Sequence, residues 1–315
     1  MSSNIMEPTA RNSLAYAFPG VGVKLCGRES GFYETYFSVM NPFIEAASES
    51  CRINLAKALQ NGTIEDMPDG DQQFFTYAYC AGVLNVFRQH GVMPNLVAGF
   101  SFGIYAALYA ADAISYASGL TMLREAYLLM DERSQGKDYG MGIVVGLEQS
   151  EISRLLEKNN YQTLCVVNTT NDTCYILSGT KTELRDLLQG AMERDAYSAE
   201  VLPVDIAYHH PTLLGDVSEK FAAQIQGIEW TDPTCPVVSS IDQTLLKNAA
   251  DLKDFAARNL TTPIHWKEVV LAMERAGVTR IIECGPGLSL TQNGRFISSS
   301  MTYTNIKKAR RWLQN

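Results

Sequence analysis

Short apolar runs alternate with longer stretches of helical periodicity along most of the chain. The apolar runs predict strands at residues 14–18, 96–98, 236–239 and 280–284. The periodic stretches predict helices at residues 72–90, 104–111, 115–133, 213–226 and 266–276, with an earlier helical region up to about residue 59. The stretch 72–90 has the pattern of an amphipathic helix. This alternation is typical of an α/β fold with a mostly parallel sheet.

The middle of the chain has a different order of elements. After a linker at residues 134–140, the pattern predicts, in sequence, a strand, a helix, two strands of a hairpin, a helix and a strand. These elements are predicted at residues 141–146, 148–158, 164–168, 173–178, 180–194 and 199–204. The β-α-β-β-α-β order is the ferredoxin-like arrangement. We therefore expect a small inserted domain at 138–204, and a large domain formed by 1–137 and 205–315.

Composition narrows the class of protein. The chain has 315 residues, of which 46% are hydrophobic and 19% charged, so it can bury a large core. A net charge of −8 without a basic run argues against nucleic-acid binding. The seven cysteines form no CxxC pair, so neither a disulfide framework nor a zinc site is indicated. No signal peptide or membrane span is apparent, and we expect a cytoplasmic protein.

The sequence GFSFG at residues 99–103 is the first candidate for chemistry. An apolar strand leads into it and a helix-forming run follows, which is the context of a nucleophile elbow. The glycines permit a strained turn that exposes the Ser101 hydroxyl, and the helix N-terminus offers N–H groups to an oxyanion. The motif is short, however, and a serine that merely begins a helix is the alternative.

A nucleophilic serine needs a base, and the chain has four histidines. His90 ends a predicted helix, and His265 lies at the start of another. His209 and His210 lie in an irregular segment before Pro211, because proline keeps the preceding residue out of the helical conformation. This pair is the better candidate, although two partly exposed loop histidines without a catalytic role are the alternative.

Five motifs in order give the chain a family resemblance. These motifs are FPGVG at 18–22, GFSFG at 99–103 followed by YAAL at 105–108, IAYH at 206–209, NLTTP at 259–263 and ECGPG at 283–287. With them the chain resembles the malonyl-CoA:acyl carrier protein transacylases and the acyltransferase domains of polyketide synthases, over nearly its whole length. The resemblance implies an α/β-hydrolase-like domain with a ferredoxin-like insertion.

The resemblance also implies roles for individual residues. Ser101 is the expected nucleophile, and His209 the expected base that later protonates the leaving thiol. The backbone carbonyl of Asn259 is expected to orient His209, and the N–H groups of Val21 and Phe102 to form the oxyanion hole. The expected partners are an acidic acyl carrier protein and acyl-CoA. The phosphopantetheine arm carries the acyl group, and no bound cofactor or metal is implied.

The departures from the family pattern concern the substrate pocket. Malonyl-transferring members carry an arginine about 25 residues after the serine, where this chain has Ala126. Phe100 and Ile104 replace a histidine and a glutamate that flank the serine motif. These three substitutions predict an apolar pocket for an acyl group without a free carboxylate: acetyl, a longer chain or a polyketide intermediate. Tyr208, in the position of the family's specificity motif, is expected to line the same pocket. The alternative is that Arg124 or Arg133 binds a malonyl carboxylate after a small shift of the helix.

The leading functional hypothesis is an acyltransferase of polyketide or fatty acid biosynthesis. A hydrolase of the same fold, which clears acyl groups from carrier proteins of a trans-acyltransferase polyketide pathway, is the close alternative. An inactive scaffold that only binds a carrier protein is disfavoured by the presence of Ser101, His209 and Asn259. An unrelated esterase would need a triad carboxylate between serine and histidine, for which Asp205 is an unconvincing candidate.

Overall fold

Two β-sheets organise the protein. The computed structural model describes residues 13–20, 22–309 and 313. Its strands are β1 (Ser13–Phe18), β2 (Leu96–Gly99), β3 (Tyr139–Val145), β4 (Cys165–Asn171), β5 (Cys174–Thr180), β6 (Ser198–Val201), β7 (Val237–Val238), β8 (Leu245–Leu246), β9 (Val278–Glu283) and β10 (Thr302–Asn305). Strands β10-β9-β1-β2-β7-β8 form one sheet, and β4-β5-β3-β6 form the other.

Helices pack against both sheets. They are α1 (Glu29–Thr35), α2 (Phe37–Cys51), α3 (Leu55–Asn61), α4 (Asp69–Gln89), α5 (Gly103–Ala110), α6 (Tyr116–Ser134), α7 (Gln149–Asn159), α8 (Lys181–Met192), α9 (Val217–Gln224), α10 (Ala249–Arg258), α11 (Trp266–Arg275), α12 (Ser289–Ile297) and α13 (Ile306–Ala309). None of the helices in the described ranges is long and apolar enough to cross a membrane.

The six-stranded sheet is parallel except for the short edge strand β8. Strands β1 and β2 lie at its centre, and their residues are buried almost throughout, as expected for a sheet covered on both faces. Phe18 pairs with Gly99, so β1 and β2 end side by side at the carboxyl edge. Ligands bind at this edge in open α/β sheets, which makes it the first place to look for a site.

Helix α4 is buried on nearly all sides, because it packs against α2, α5 and α6. The expectation of an amphipathic helix is therefore wrong here. A helix surrounded by other helices has no polar face to show to water, and its sequence carries tyrosine hydroxyls where a surface helix would carry charges.

The second sheet is antiparallel, with its four strands in the order found in ferredoxin-like folds. Helices α7 and α8 pack together, and α8 lies against the sheet. All of these elements fall between Tyr139 and Val201. The fold class expected from the sequence is confirmed. The range of residues 138–204 remains our proposal for the inserted domain, with 1–137 and 205–315 as the large domain.

Several elements differ from the sequence-based prediction. Helix α9 is shorter than the predicted 213–226, because residues 211–216 form turns, and β6 ends at Val201 rather than at 204. The pattern did not predict α10, α12, β8 or β10. Helix α12 contains Gly294, where a Cβ atom would lie 2.2 Å from the Tyr303 ring, so packing requires a residue of poor helix propensity.

Candidate active site

Ser101 lies in the tight turn between β2 and α5. Its φ is +52°, a conformation that non-glycine residues rarely adopt. A Cβ atom at Gly99 would lie 2.1 Å from the backbone nitrogen of Ile104, and one at Gly103 would lie 2.2 Å from the Phe18 carbonyl oxygen. Both positions therefore require glycine. The GFSFG sequence forms a nucleophile elbow, in which close approach of α5 to the strands holds Ser101 in its strained conformation.

His209 joins Ser101 across 108 residues of chain. Its Nε2 atom lies 2.7 Å from Ser101 Oγ, and its Nδ1 atom lies 2.7 Å from the carbonyl oxygen of Asn259. A carbonyl oxygen can only accept, so Nδ1 carries the proton in the neutral ring. Nε2 is then the acceptor for the Ser101 hydroxyl. This is the tautomer that a general base needs.

The carbonyl that orients His209 lies at a helix terminus. Asn259 directly follows α10, where backbone carbonyls have no partner within the helix and carry a partial negative charge. The side chain of Asn259 is fixed as well, because its Oδ1 accepts a hydrogen bond of 3.0 Å from Ser240 Oγ. Ser240 is fully buried, in the segment that follows β7. No sequence motif marks this serine, so its role was not predicted.

Burial controls the protonation of His209. The side chain is 4% exposed, and burial lowers its pKa to about 4, although the backbone groups at Asn259 and Thr262 favour the protonated ring. The imidazole is therefore neutral at pH 7. Ser101, at 9% exposed, lies where the hydroxyl meets both the histidine and an open cavity.

The other three histidines do not contact Ser101. His210 Nε2 lies 2.6 Å from the Thr163 carbonyl oxygen, and its Nδ1 accepts from the N–H of Leu213. This residue ties the chain after β6 to the segment before β4. His90 directly follows α4 and bonds to the Val86 carbonyl, whereas His265 precedes α11. Both positions at helix ends agree with the prediction from the sequence.

The N-terminus of α5 lies directly behind Ser101. Phe102 is the residue before this helix, and its N–H group has no acceptor within the part of the chain that the structure describes. That is the arrangement expected of an oxyanion-hole donor. Val21, the second predicted donor, lies outside the described residues. Its neighbour Gly20 is in close contact with the elbow, because a Cβ there would lie 2.8 Å from the Phe100 carbonyl oxygen.

A cavity of about 570 Å³ opens over Ser101 and His209. Its apolar lining comes from both sheets and their connections, and includes Phe100, Met141, Val167, Ile176, Leu202, Val204, Ile206 and Ile264. Every charged residue in the described lining is acidic: Glu65, Asp66, Asp69, Asp131 and Asp205. No lysine or arginine belongs to this described lining. No group of His, Cys, Asp or Glu residues suited to a metal ion occurs in the described ranges.

The four predicted pocket residues divide into two pairs. Phe100 and Tyr208 line the cavity. Ile104 and Ala126 do not, and for them the prediction is wrong. Both are fully buried in the core, because α5 is enclosed by its neighbours and the Ala126 methyl is too short to extend beyond the inner face of α6. Tyr127, the next residue of α6, reaches the cavity instead.

The alternative hypotheses assigned roles to Arg124, Arg133 and Asp205, and all three side chains have other neighbours in the structure. Arg124 is exposed and donates to the Ser50 carbonyl at 2.8 Å, and Arg133 lies beside Gly215. Neither lines the cavity. Asp205 forms an ion pair with Lys181, while Nδ1 of His209 bonds to a carbonyl. A Ser-His-Asp triad is therefore not formed, and the esterase reading loses its only candidate carboxylate.

Comparison with known proteins agrees with this site. Residues 75–307 match the family described as "Acyl transferase domain". The chain belongs to this acyltransferase family. The matched range contains the elbow, His209 and Asn259, and the chain is accordingly an acyltransferase enzyme.

Individual relatives resemble the chain over nearly all of its length. The malonyl CoA-acyl carrier protein transacylase of Salmonella typhimurium is 28% identical over 297 residues, which cover 93% of this chain and 96% of the relative. The crystal structure of an acyl carrier protein S-malonyltransferase from Vibrio cholerae superposes with a TM-score of 0.84 at 26% identity, covering 94% and 97% of the two chains.

A third relative is a malonyl-transacylase of a type II polyketide synthase, solved in complex with its acyl-carrier protein. It is 25% identical, has a TM-score of 0.85, and the match covers 94% of this chain and 96% of that one. These likenesses place the acyltransferase with enzymes that act on CoA and carrier-protein thioesters in fatty acid and polyketide synthesis.

Proposed function

We propose that this acyltransferase handles acyl groups without a free carboxylate, through an acyl-ester on Ser101. The observation that carries the proposal is the charge of the cavity lining, in which five of the described residues are acidic and none is a lysine or arginine. The relatives are named for malonyl transfer, so the proposal separates this chain from them by substrate.

The energetic argument concerns the second carboxylate of a malonyl group. A buried carboxylate without a cationic partner costs several kcal/mol, and nearby like charges add to that cost. A bidentate ion pair between this carboxylate and an arginine would offset the cost. In this chain Ala126 occupies the position where the family resemblance implies an arginine, and Arg124 donates to Ser50 outside the cavity.

The reaction follows from the tautomer of His209. As Ser101 Oγ attacks the thioester carbonyl carbon, its proton passes to Nε2, and the Phe102 N–H faces the oxygen that becomes negative. The imidazolium is stabilised by the Asn259 carbonyl. When the C–S bond breaks, Nε2–H protonates the leaving thiol. An acceptor thiol then attacks the acyl-ester by the same steps in reverse.

The natural donors and acceptors under this proposal are phosphopantetheine thiols of CoA or of an acyl carrier protein. Water is the competing acceptor, and attack by water would make the enzyme a hydrolase that clears carriers. The same Ser101 and His209 serve both reactions, so the products distinguish them.

The test uses carrier proteins loaded with acetyl, butyryl or malonyl groups, mixed with an unloaded carrier of different mass. Mass spectrometry follows acyl groups on both carriers. Transfer of acetyl or butyryl to the second carrier is expected, and free acid with empty carriers would indicate the hydrolase. Ser101→Ala should stop either reaction. Malonyl transfer at a rate equal to butyryl transfer would overturn the proposal.

A further inference from the structure

Asp69 and Tyr208 form a polar pair on the wall of the cavity. The Tyr208 hydroxyl donates a hydrogen bond to Asp69 Oδ2, and both residues belong to the lining. Tyr208 directly precedes His209, so its Cα atom lies about 3.8 Å from that of the base. The Tyr208 ring is held edge-on against Phe102, with 5.5 Å between ring centroids. The pair therefore lines the same cavity as Ser101 and His209, and the Phe102 ring supports it.

The Gln73 side chain makes hydrogen bonds to both members of the pair. Its side chain is 1% exposed, and its Nε2 lies 3.3 Å from the Tyr208 hydroxyl oxygen and 3.5 Å from Asp69 Oδ2. This orientation leaves Oε1 of Gln73 buried without a hydrogen-bond partner among the described residues. A buried acceptor without a donor is costly. The cluster thus has acceptors in excess: the carboxylate of Asp69 and the Gln73 carbonyl.

Three of the other four acidic residues of the described lining have partners outside this cluster. Glu65 accepts from the N–H of Leu25, Asp131 accepts from Gln135, and Asp205 pairs with Lys181. Among the described residues, the Asp69 carboxylate accepts hydrogen bonds from Tyr208 and Gln73 alone, and burial raises the pKa of its carboxyl group in spite of these two hydrogen bonds. The lining of the same cavity also includes apolar residues, among them Ile206, Leu202 and Met141.

We propose that the Asp69–Tyr208 pair is a specificity site for an acyl chain that carries a hydrogen-bond donor, a hydroxyl or an amine, close to the thioester. The inference rests on the proposed function and extends it from what the cavity excludes to what it selects. A donor on the acyl chain bonds to Asp69, whereas an unsubstituted chain leaves this carboxylate desolvated beside carbon. A carboxylate on the chain meets a like charge.

A matched series of four-carbon acyl groups tests the proposal. Butyryl, 3-hydroxybutyryl, 3-aminobutyryl and methylmalonyl groups are loaded on one carrier protein, and the rate of Ser101 acylation is measured by intact-protein mass at short times. The 3-hydroxy or 3-amino group is expected to acylate about tenfold faster than butyryl, because a site that accepts a hydrogen bond discriminates against the analogue without the donor.

Asp69→Asn is the test variant, since it removes the charge but can still accept from Tyr208. Asp131→Asn is the control, because it removes the same charge from the same cavity without touching the pair. Asp69→Asn should reduce the preference over butyryl to about twofold or less, whereas Asp131→Asn should retain it. Equal thermal melting temperatures of the two variants establish that both are folded.

The outcomes separate the two proposals. A faster 3-amino substrate identifies the donor as an amine, and a faster 3-hydroxy substrate identifies it as a hydroxyl; either supports the inference. Equal rates for the butyryl, 3-hydroxybutyryl and 3-aminobutyryl groups overturn the inference. A preference for a donor-bearing group that survives Asp69→Asn overturns it as well. Methylmalonyl acylation at the butyryl rate instead overturns the proposed function, and absence of acylation by every member overturns both.

Discussion

The Nδ1 atom of His209 lies 2.7 Å from the carbonyl oxygen of Asn259, the residue that directly follows α10. A backbone carbonyl at a helix terminus thus occupies the place that a carboxylate has in a Ser-His-Asp triad. The carbonyl cannot be removed by changing a side chain. Substitution of Asn259 therefore leaves the carbonyl that orients His209 in place, whereas substitution of His209 removes the base itself.

Replacing His209 by alanine should reduce the rate of Ser101 acylation by about 100- to 10,000-fold, because the base is lost. Asn259→Ala should cost only about three- to tenfold, since the carbonyl remains and one neutral hydrogen bond to Ser240 is lost. Single-turnover kinetics with a butyryl donor measures both. Ser240→Ala should cost the same as Asn259→Ala, and the double variant no more than either. A loss in Asn259→Ala as large as in His209→Ala would contradict the carbonyl's role.

The acylation rate should be nearly independent of pH between 8 and 5.5. Burial lowers the pKa of His209 to about 4, so the ring stays neutral over this range. A histidine with an ordinary pKa would lose about tenfold by pH 5.5. Rapid-quench measurements at each pH, with circular dichroism to establish folding, test this point. A tenfold fall between pH 7 and 5.5 in folded protein would refute it.

The same shift links stability to pH. Unfolded His209 binds a proton near pH 6.5 and folded His209 only near pH 4, so the free energy of unfolding falls as pH drops from 6.5 towards 4. Above 6.5 this contribution is fully present. Urea unfolding at pH 7 and pH 5 should therefore show a larger difference for the native protein than for His209→Gln, which has no proton to gain. Equal differences in the two proteins would exclude His209 as the source.

Gly103→Ala should destabilise the protein by about 2–4 kcal/mol, because the new Cβ would lie 2.2 Å from the Phe18 carbonyl oxygen. Gly31→Ala is the matched control. Gly31 lies in α1 with no atom within 4 Å of a new Cβ, and alanine there should be neutral or slightly stabilising. Urea unfolding measures both. A Gly103→Ala protein of native stability would mean that α5 is free to move away from β1.

Arg124→Ala should leave every acylation rate within about twofold of the native value. The guanidinium donates to the Ser50 carbonyl on the exposed side of α6, and an exposed hydrogen bond of this kind contributes little. Steady-state kinetics with butyryl and malonyl donors tests the expectation. Selective loss of malonyl activity in this variant would revive the alternative in which Arg124 binds the malonyl carboxylate.

The sequence predicted the elbow well because local chemistry determines it. An apolar strand, two glycines with no room for a Cβ and a helix-forming run leave few conformations for GFSFG. The ferredoxin-like order was predictable for a similar reason, since its hairpin and two amphipathic helices have strong local patterns. The choice of His209 over His210 came from the family resemblance, and the geometry agrees with it, because His210 bonds to Thr163.

Long-range packing decided what the sequence could not predict. Ile104 and Ala126 are close in sequence to cavity residues, yet both are buried in the core, and Tyr127 and Asp69 line the cavity in their place. Ser240 and Gln73 approach the site from distant segments and have no motif. Helix α10 was not predicted, although Asn259, which directly follows it, supplies the carbonyl for His209. The NLTTP motif begins only after the Ala-rich helix and gives no sign of it.

The most direct test of the central claim is the intact mass of the protein milliseconds to seconds after mixing with butyryl- or malonyl-loaded carrier. The account predicts a butyryl adduct that is absent in Ser101→Ala, and malonyl adduct formation at least about a hundredfold slower, as expected for a buried carboxylate without a cation. A malonyl adduct on Ser101 that forms as fast as the butyryl adduct would contradict the account.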